Sequence, residues 1–148
     1  MKAQRTQRYL RIVWFSALYD LLVTALFATP WTAVLALGHL RRLHDALGVG
    51  GTNLPPFEAA HLFFVSLFGT VVVIWALLRL YRPRPEHGLA DAAARFAFST
   101  WMLLALVTGQ SHLFIVFLIP ELAWGIGQFM GYIQSTRAEA RPPISVLI

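Results

Sequence analysis

The stretch HLFIVFLIPELAWGIGQFMGYI, residues 112–133, decides the fold of this chain. An α-helix rises about 1.5 Å per residue, so roughly 20 apolar residues cross the ~30 Å hydrocarbon core of a bilayer. This stretch meets that length and carries Pro120 and Glu121 near its middle. An ionisable side chain at membrane depth is expensive, and by default it marks a functional site.

Three more blocks of the same kind lie upstream. LRIVWFSALYDLLVTALFAT, residues 10–29, is the first and holds Asp20. The second covers residues 57–81, apolar from Leu62 to Leu78 except at Ser66, Gly69 and Thr70, and stops at Arg79. The third, residues 89–109, opens with Asp91 and Arg95, whose i, i+4 spacing lets a helical ion pair shield itself. Only GQSH separates it from the fourth, so the last two spans form a hairpin. Between the first two, Thr29-Pro30 reads as the N-cap and first position of a new helix. That helix, residues 31–47, has Trp31, Val34, Leu35, Leu43 and Leu47 on one face and His39, Arg41, Arg42, His44 and Asp45 elsewhere. Its apolar part is too short to span, so it is expected to lie along the interface. GVGGTN, residues 48–53, and RPRPEHG, residues 82–88, read as loops; the tail PPISVLI is assigned no structure. The expected architecture is all-α, a single transmembrane domain over residues 1–148. It is an integral membrane four-helix bundle with an extra interfacial amphipathic helix between spans one and two.

Composition agrees. Residues are 57% hydrophobic and 13% charged, far from soluble averages, and the apolar ones come in blocks. The net charge of +5 flanks those blocks without any basic helix or aromatic platform, which argues against nucleic acid and for a lipid bilayer as partner. Cysteine is absent, which excludes disulfides, thiolate metal sites and dithiol chemistry. Lys2, Arg5, Arg8 and Arg11 before an apolar run look like the start of a signal peptide. Asp20 within the run, and Pro30-Trp31 where cleavage would fall, favour a retained span. No nucleotide loop or Ser-His-Asp arrangement is present.

Ten Lys and Arg fall on the side of the two termini and two on the other, so the positive-inside rule places both termini in the cytoplasm of a bacterial inner membrane. Counting inward from the outer span ends puts Asp20 and Glu121 roughly 13–14 Å deep, near the bilayer centre. The same count reaches Ser66 and Thr70 in span two and Ser99 and Thr100 in span three.

Glu121, Trp124 and Gln128 share one face of span four, and Ser16, Asp20 and Thr24 form a polar stripe on span one. Mostly apolar walls with a few convergent polar groups describe a ligand pocket. The ligand-binding candidates are therefore Asp20, Glu121, Trp124, Trp101, Ser99, Thr100 and Gln128, around a small hydrophobic or aromatic molecule with one polar end. The competing reading is interhelical glue, with Ser and Thr as partners of the carboxylates. Pro120 frees the Val116 carbonyl and kinks the helix beside Glu121, which ordinary packing also tolerates. No metal or cofactor is expected. Glu58-x-x-His61 has the spacing of a carboxylate-bridged metal motif but lacks a second copy, and haem or metal on His61 and His112 stays as an alternative. Gly127-x-x-x-Gly131 permits close helix contact, within the bundle or in a homo-oligomer or larger complex.

YDLLVTALFATPW (19–31), LFFVSLFGTVVVIWALLRL (62–80) followed by RPRP, DAAARFAFSTWM (91–102) and PELAWGIGQF (120–129) resemble the BphX-like family of small bacterial four-span membrane proteins. That resemblance implies the architecture and a bacterial inner membrane and carries over no catalytic residue. A looser likeness, in residue type only, is to sterol-isomerase-type bundles with acidic residues and a Trp in an apolar cavity. Three functions remain open: binding of a hydrophobic molecule, an accessory subunit of a membrane complex, or an enzyme moving protons between Asp20 and Glu121.

Overall fold

The computed structural model describes residues 2–140, and among them it is all helix with no strand. The segment PPISVLI lies outside the described residues. Five helices follow one another: α1 Lys2–Thr24, α2 Pro30–Leu47, α3 Ala59–Tyr81, α4 Pro85–Val107 and α5 Phe114–Ala140. A short 3-10 turn, Ala25–Phe27, ends α1. Four helical stretches, Gln4–Phe27, Ala59–Tyr81, Pro85–Val107 and Phe114–Arg137, are long and apolar enough to cross a membrane.

Packing is inside-out relative to a soluble bundle. Arg79 and Arg95 are 0% and 2% exposed, while Leu22, Phe68, Trp101 and Val107 stand outward at 65% or more. Only a hydrocarbon solvent makes that arrangement favourable, because there the outer surface must be apolar and charge must pair within the bundle. The chain is a multi-pass membrane protein.

Helix boundaries follow local chemistry. Thr29 caps α2, its side chain accepting from the Thr32 N–H at 3.3 Å, with Pro30 at the first position. Gly48 closes α2 with φ 57°, a conformation a Cβ would strain. RPRPEHG is not wholly a loop: Pro85 starts α4, because its missing N–H would be unsatisfied there anyway and its φ suits a helix. α1 begins well before residue 10, so the basic residues Arg5, Arg8 and Arg11 ride on helix rather than on a leading coil. α5 continues through Pro120 and on to Ala140, past the expected end at residue 133.

α1 is the central post. It packs along α3 on one side and α5 on another, and α4 and α5 form a close antiparallel pair. Tyr9 locks the lower end: it is 2% exposed and lies against Gly88 of α4 and Gly131 of α5, and its hydroxyl donates to the Pro85 carbonyl at 3.1 Å. A Cβ at Gly131 would lie 2.6 Å from the Tyr9 ring, so glycine is needed there, whereas Gly127 meets nothing within 4 Å. At the other end the loop after α2 is pinned to the α4–α5 turn. Thr52 N–H donates to Gly109 O at 2.8 Å, His112 N–H to Gly50 O at 2.9 Å, and His44 pairs with Ser111 at 2.7 Å.

α3 and α4 are consecutive yet scarcely touch along their backbones. Long side chains bridge the seam instead, and that seam is where the site lies.

Candidate functional site: an ion cluster at the floor of an intramembrane cavity

Each spanning helix contributes a charged residue to one cluster. Asp20 comes from α1, Arg79 from the last turns of α3, Asp91 and Arg95 from successive turns of α4, and Glu121 from the position after Pro120 on α5. Arg95 lies ten residues into the 23-residue α4, about 15 Å along its axis and near mid-span. Its Nε donates to Asp91 Oδ2 at 2.9 Å, Nη1 to Glu121 Oε2 at 3.0 Å, and Nη2 to both Asp20 oxygens at 2.7 Å. Arg79 pairs with Asp20 Oδ2 through Nη2 and with Asp91 Oδ2 through Nη1 at 2.6 Å. Trp75 Nε1 completes the shell by donating to Asp91 Oδ1 at 2.9 Å. The two guanidiniums thus join all four spanning helices through three carboxylates.

A layer of neutral polar groups supports the cluster from below. Ser16 Oγ donates to Val13 O and accepts from Arg79 Nη1 and from Gln128 Nε2. Gln128, a sequence candidate, is fully buried in that role, and its Oε1 and Arg79 Nε have no partner among the described residues. Buried polar atoms without partners mark where a water or another donor and acceptor would fit.

Above the cluster opens an apolar cavity of about 480 Å³ between α3 and α4. Val72 and Trp75 form one wall, Ala94 and Phe98 the other, Phe117 closes the back, and Asp20, Asp91, Arg95 and Glu121 make the floor. A second cavity, about 510 Å³, lies under α2 and shares Val23 and Phe117 with the first.

The other sequence candidates divide. Asp20 and Glu121 meet at the same cluster, bridged by Arg95. Trp124 is set against the ring of Tyr19, centroids 6.3 Å apart, beside the cavity rather than in its lining. Ser99 is buried, its hydroxyl without a partner among the described residues. Thr100 is exposed and bonds its own helix at Phe96 O, and Trp101 is 65% exposed on the outer face of α4, so neither borders the cavity.

Ser66 and Thr70 are not at the level of Asp20. Thr70 donates to Ala28 O and Gly69 lies against Phe27, so this part of α3 is level with the end of α1. Counting from span ends assumed a common outer plane, and the 3-10 turn at Ala25–Phe27 ends α1 lower than α3. The residues that reach Asp20 are Arg79 and Arg95. In the sequence the first reads as a span terminus and Asp91/Arg95 as a self-shielding pair. The signal that would have found them is charge balance, because carboxylates at membrane depth require cations from the same bundle.

At the start of α3 His61 Nδ1 accepts from the Glu58 N–H at 3.2 Å, so Glu58-x-x-His61 forms a helix-capping arrangement. Among the described residues no group of three His, Asp or Glu side chains is placed to hold a metal ion. No family model, curated protein or solved structure matches this chain.

Proposed function

We propose that this protein binds a small hydrophobic or aromatic molecule in the cavity between α3 and α4, with the molecule's polar end on the Asp20/Arg95/Glu121 floor. The observation that carries this reading is the cavity itself: about 480 Å³ of apolar, partly aromatic wall ending on a charged floor. Volumes of roughly 300–1,000 Å³ with few convergent polar groups are typical of ligand sites. The weak contact between α3 and α4 leaves the bilayer as the direct route of entry. Arg95 stands between Asp20 and Glu121, and a guanidinium does not release its proton in proteins, which favours binding over direct proton transfer between the two carboxylates.

We place the protein in a bacterial inner membrane with both termini cytoplasmic. Setting aside Arg79 and Arg95, which are consumed by the cluster, eight Lys and Arg remain on the side of the termini against two on the other. The native absence of cysteine allows single-cysteine labelling to check this orientation directly.

The binding test is occupancy by steric blocking. Radiolabelled 2-naphthylmethanol is titrated against the purified protein, Ala94→Trp and Val72→Phe, which fill the cavity from opposite walls, and Trp101→Leu on the outer face. Loss of saturable binding in both filling variants, with helical circular dichroism retained and Trp101→Leu unchanged, is the expected result. Saturable binding that survives both filling variants would overturn the reading.

A further inference from the structure

Resting on that reading, we infer that the polar end of the occupant is a cation: the cavity is built for a lipophilic amine. Three carboxylates, Asp20, Asp91 and Glu121, face two guanidiniums, Arg79 and Arg95, so the fully ionised cluster carries one surplus negative charge. At the cavity floor the imbalance is greater. All three carboxylates line the cavity, and of the two arginines only Arg95 does.

The directions of the hydrogen bonds point the same way. Nε, Nη1 and Nη2 of Arg95, Nη1 and Nη2 of Arg79, and the Trp75 indole N–H each already donate to a carboxylate. An anionic head would find at most the second N–H of Arg95 Nη1 at the floor, beside three carboxylates that repel it, since Arg79 does not line the cavity. An ammonium finds an acceptor. Glu121 receives its only bond, from Arg95, on Oε2, leaving Oε1 without a bond from the described residues. Its side chain is also the most exposed of the three, 14% against 11% and 5%. Trp75, Phe98, Tyr19 and Phe117 line the same cavity, and a desolvated cation is attracted to aromatic faces. An uncompensated carboxylate in apolar surroundings is costly, so a bound monocation improves both partners at once.

The test uses three probes of one shape: 2-naphthylmethylamine, 2-naphthylmethanol and 2-naphthoic acid, each titrated against the wild type and Glu121→Gln. The amine is expected to bind about ten- to a hundredfold tighter than the alcohol, the range for a charge-assisted hydrogen bond, with the acid weakest. Glu121→Gln keeps the shape and balances the cluster, so it should remove most of the amine's advantage, read as the ratio of amine to alcohol affinity within the same variant. Should Glu121→Gln fail to fold, Asp20→Asn lowers the surplus equally and is expected to act the same way. Alcohol binding as tight as amine binding, or an amine advantage that survives the substitution, overturns the cationic head while leaving the cavity reading intact. If none of the probes saturates a site, both readings fail together.

Discussion

Replacing Arg95 by methionine keeps an unbranched apolar stem and removes the guanidinium that joins α4 to α1 and α5. Arg95 is 2% exposed and donates to Asp91, Glu121 and Asp20 at 2.9, 3.0 and 2.7 Å. Two magnitudes compete. Were the cluster only hydrogen-bonded glue, the two interhelical partners, Asp20 and Glu121, at ~0.6 kcal/mol each in membranes, would cost about 1 kcal/mol. Removing the charge does more, because three carboxylates are left facing Arg79 alone and the surplus rises from one negative charge to two. Breaking a buried pair in this way costs about 3–5 kcal/mol. At about 2–4 °C per kcal/mol for a chain of this size, Arg95→Met should melt roughly 6–20 °C below the wild type by helical circular dichroism in one detergent. The double variant Arg95→Met/Glu121→Gln separates the two accounts. Taking away one surplus charge should recover part of the loss, whereas lost bonds alone predict no recovery. A single variant melting within about 2 °C of the wild type, or a double variant less stable than the single, would refute the electrostatic reasoning.

Other consequences are smaller and local. Gly131→Ala forces a Cβ to 2.6 Å from the Tyr9 ring and should lower the melting temperature by several degrees, while Gly127→Ala, which meets nothing within 4 Å, should be neutral or slightly stabilising. Tyr9→Phe removes the bond to Pro85 O and should cost about 1 kcal/mol, read in the same melts. Thr29→Ala removes the cap of α2 and should cost about 1 kcal/mol, with faster amide hydrogen exchange confined to the first turn of α2.

How much was legible in the sequence depends on what kind of signal each feature sends. Length and apolar content locate all four spans, since a bilayer imposes both on each helix separately. Thr29-Pro30 and Gly48 locate α2 because capping is local. Asp20 and Glu121 stand out because a carboxylate inside an apolar run is conspicuous. Arg79 and Asp91 do not, because each lies within two turns of a helix end, where charge is ordinary, and Arg95 reads as the i, i+4 partner of Asp91. Their side chains reach several ångströms along the bundle to the level of Asp20, and reach is invisible in a string of letters. Thr70 and Ser66 fall at that level only if all span ends share one plane, whereas Thr70 lies beside Ala28, at the end of α1. Trp101 shows the opposite limit. Aromatic residues serve lipid-facing surfaces and pockets alike, and only packing separates the two.

Photo-crosslinking with a benzophenone or diazirine derivative of 2-naphthylmethylamine, mapped by mass spectrometry on the protein in lipid nanodiscs, addresses the central claim most directly. The account predicts adducts concentrated on Val72, Ala94, Phe98 and Phe117, competed away by unlabelled amine and lost in Ala94→Trp. Adducts spread over the lipid-facing residues Trp101, Val107 and Phe68, with no competition, would contradict it.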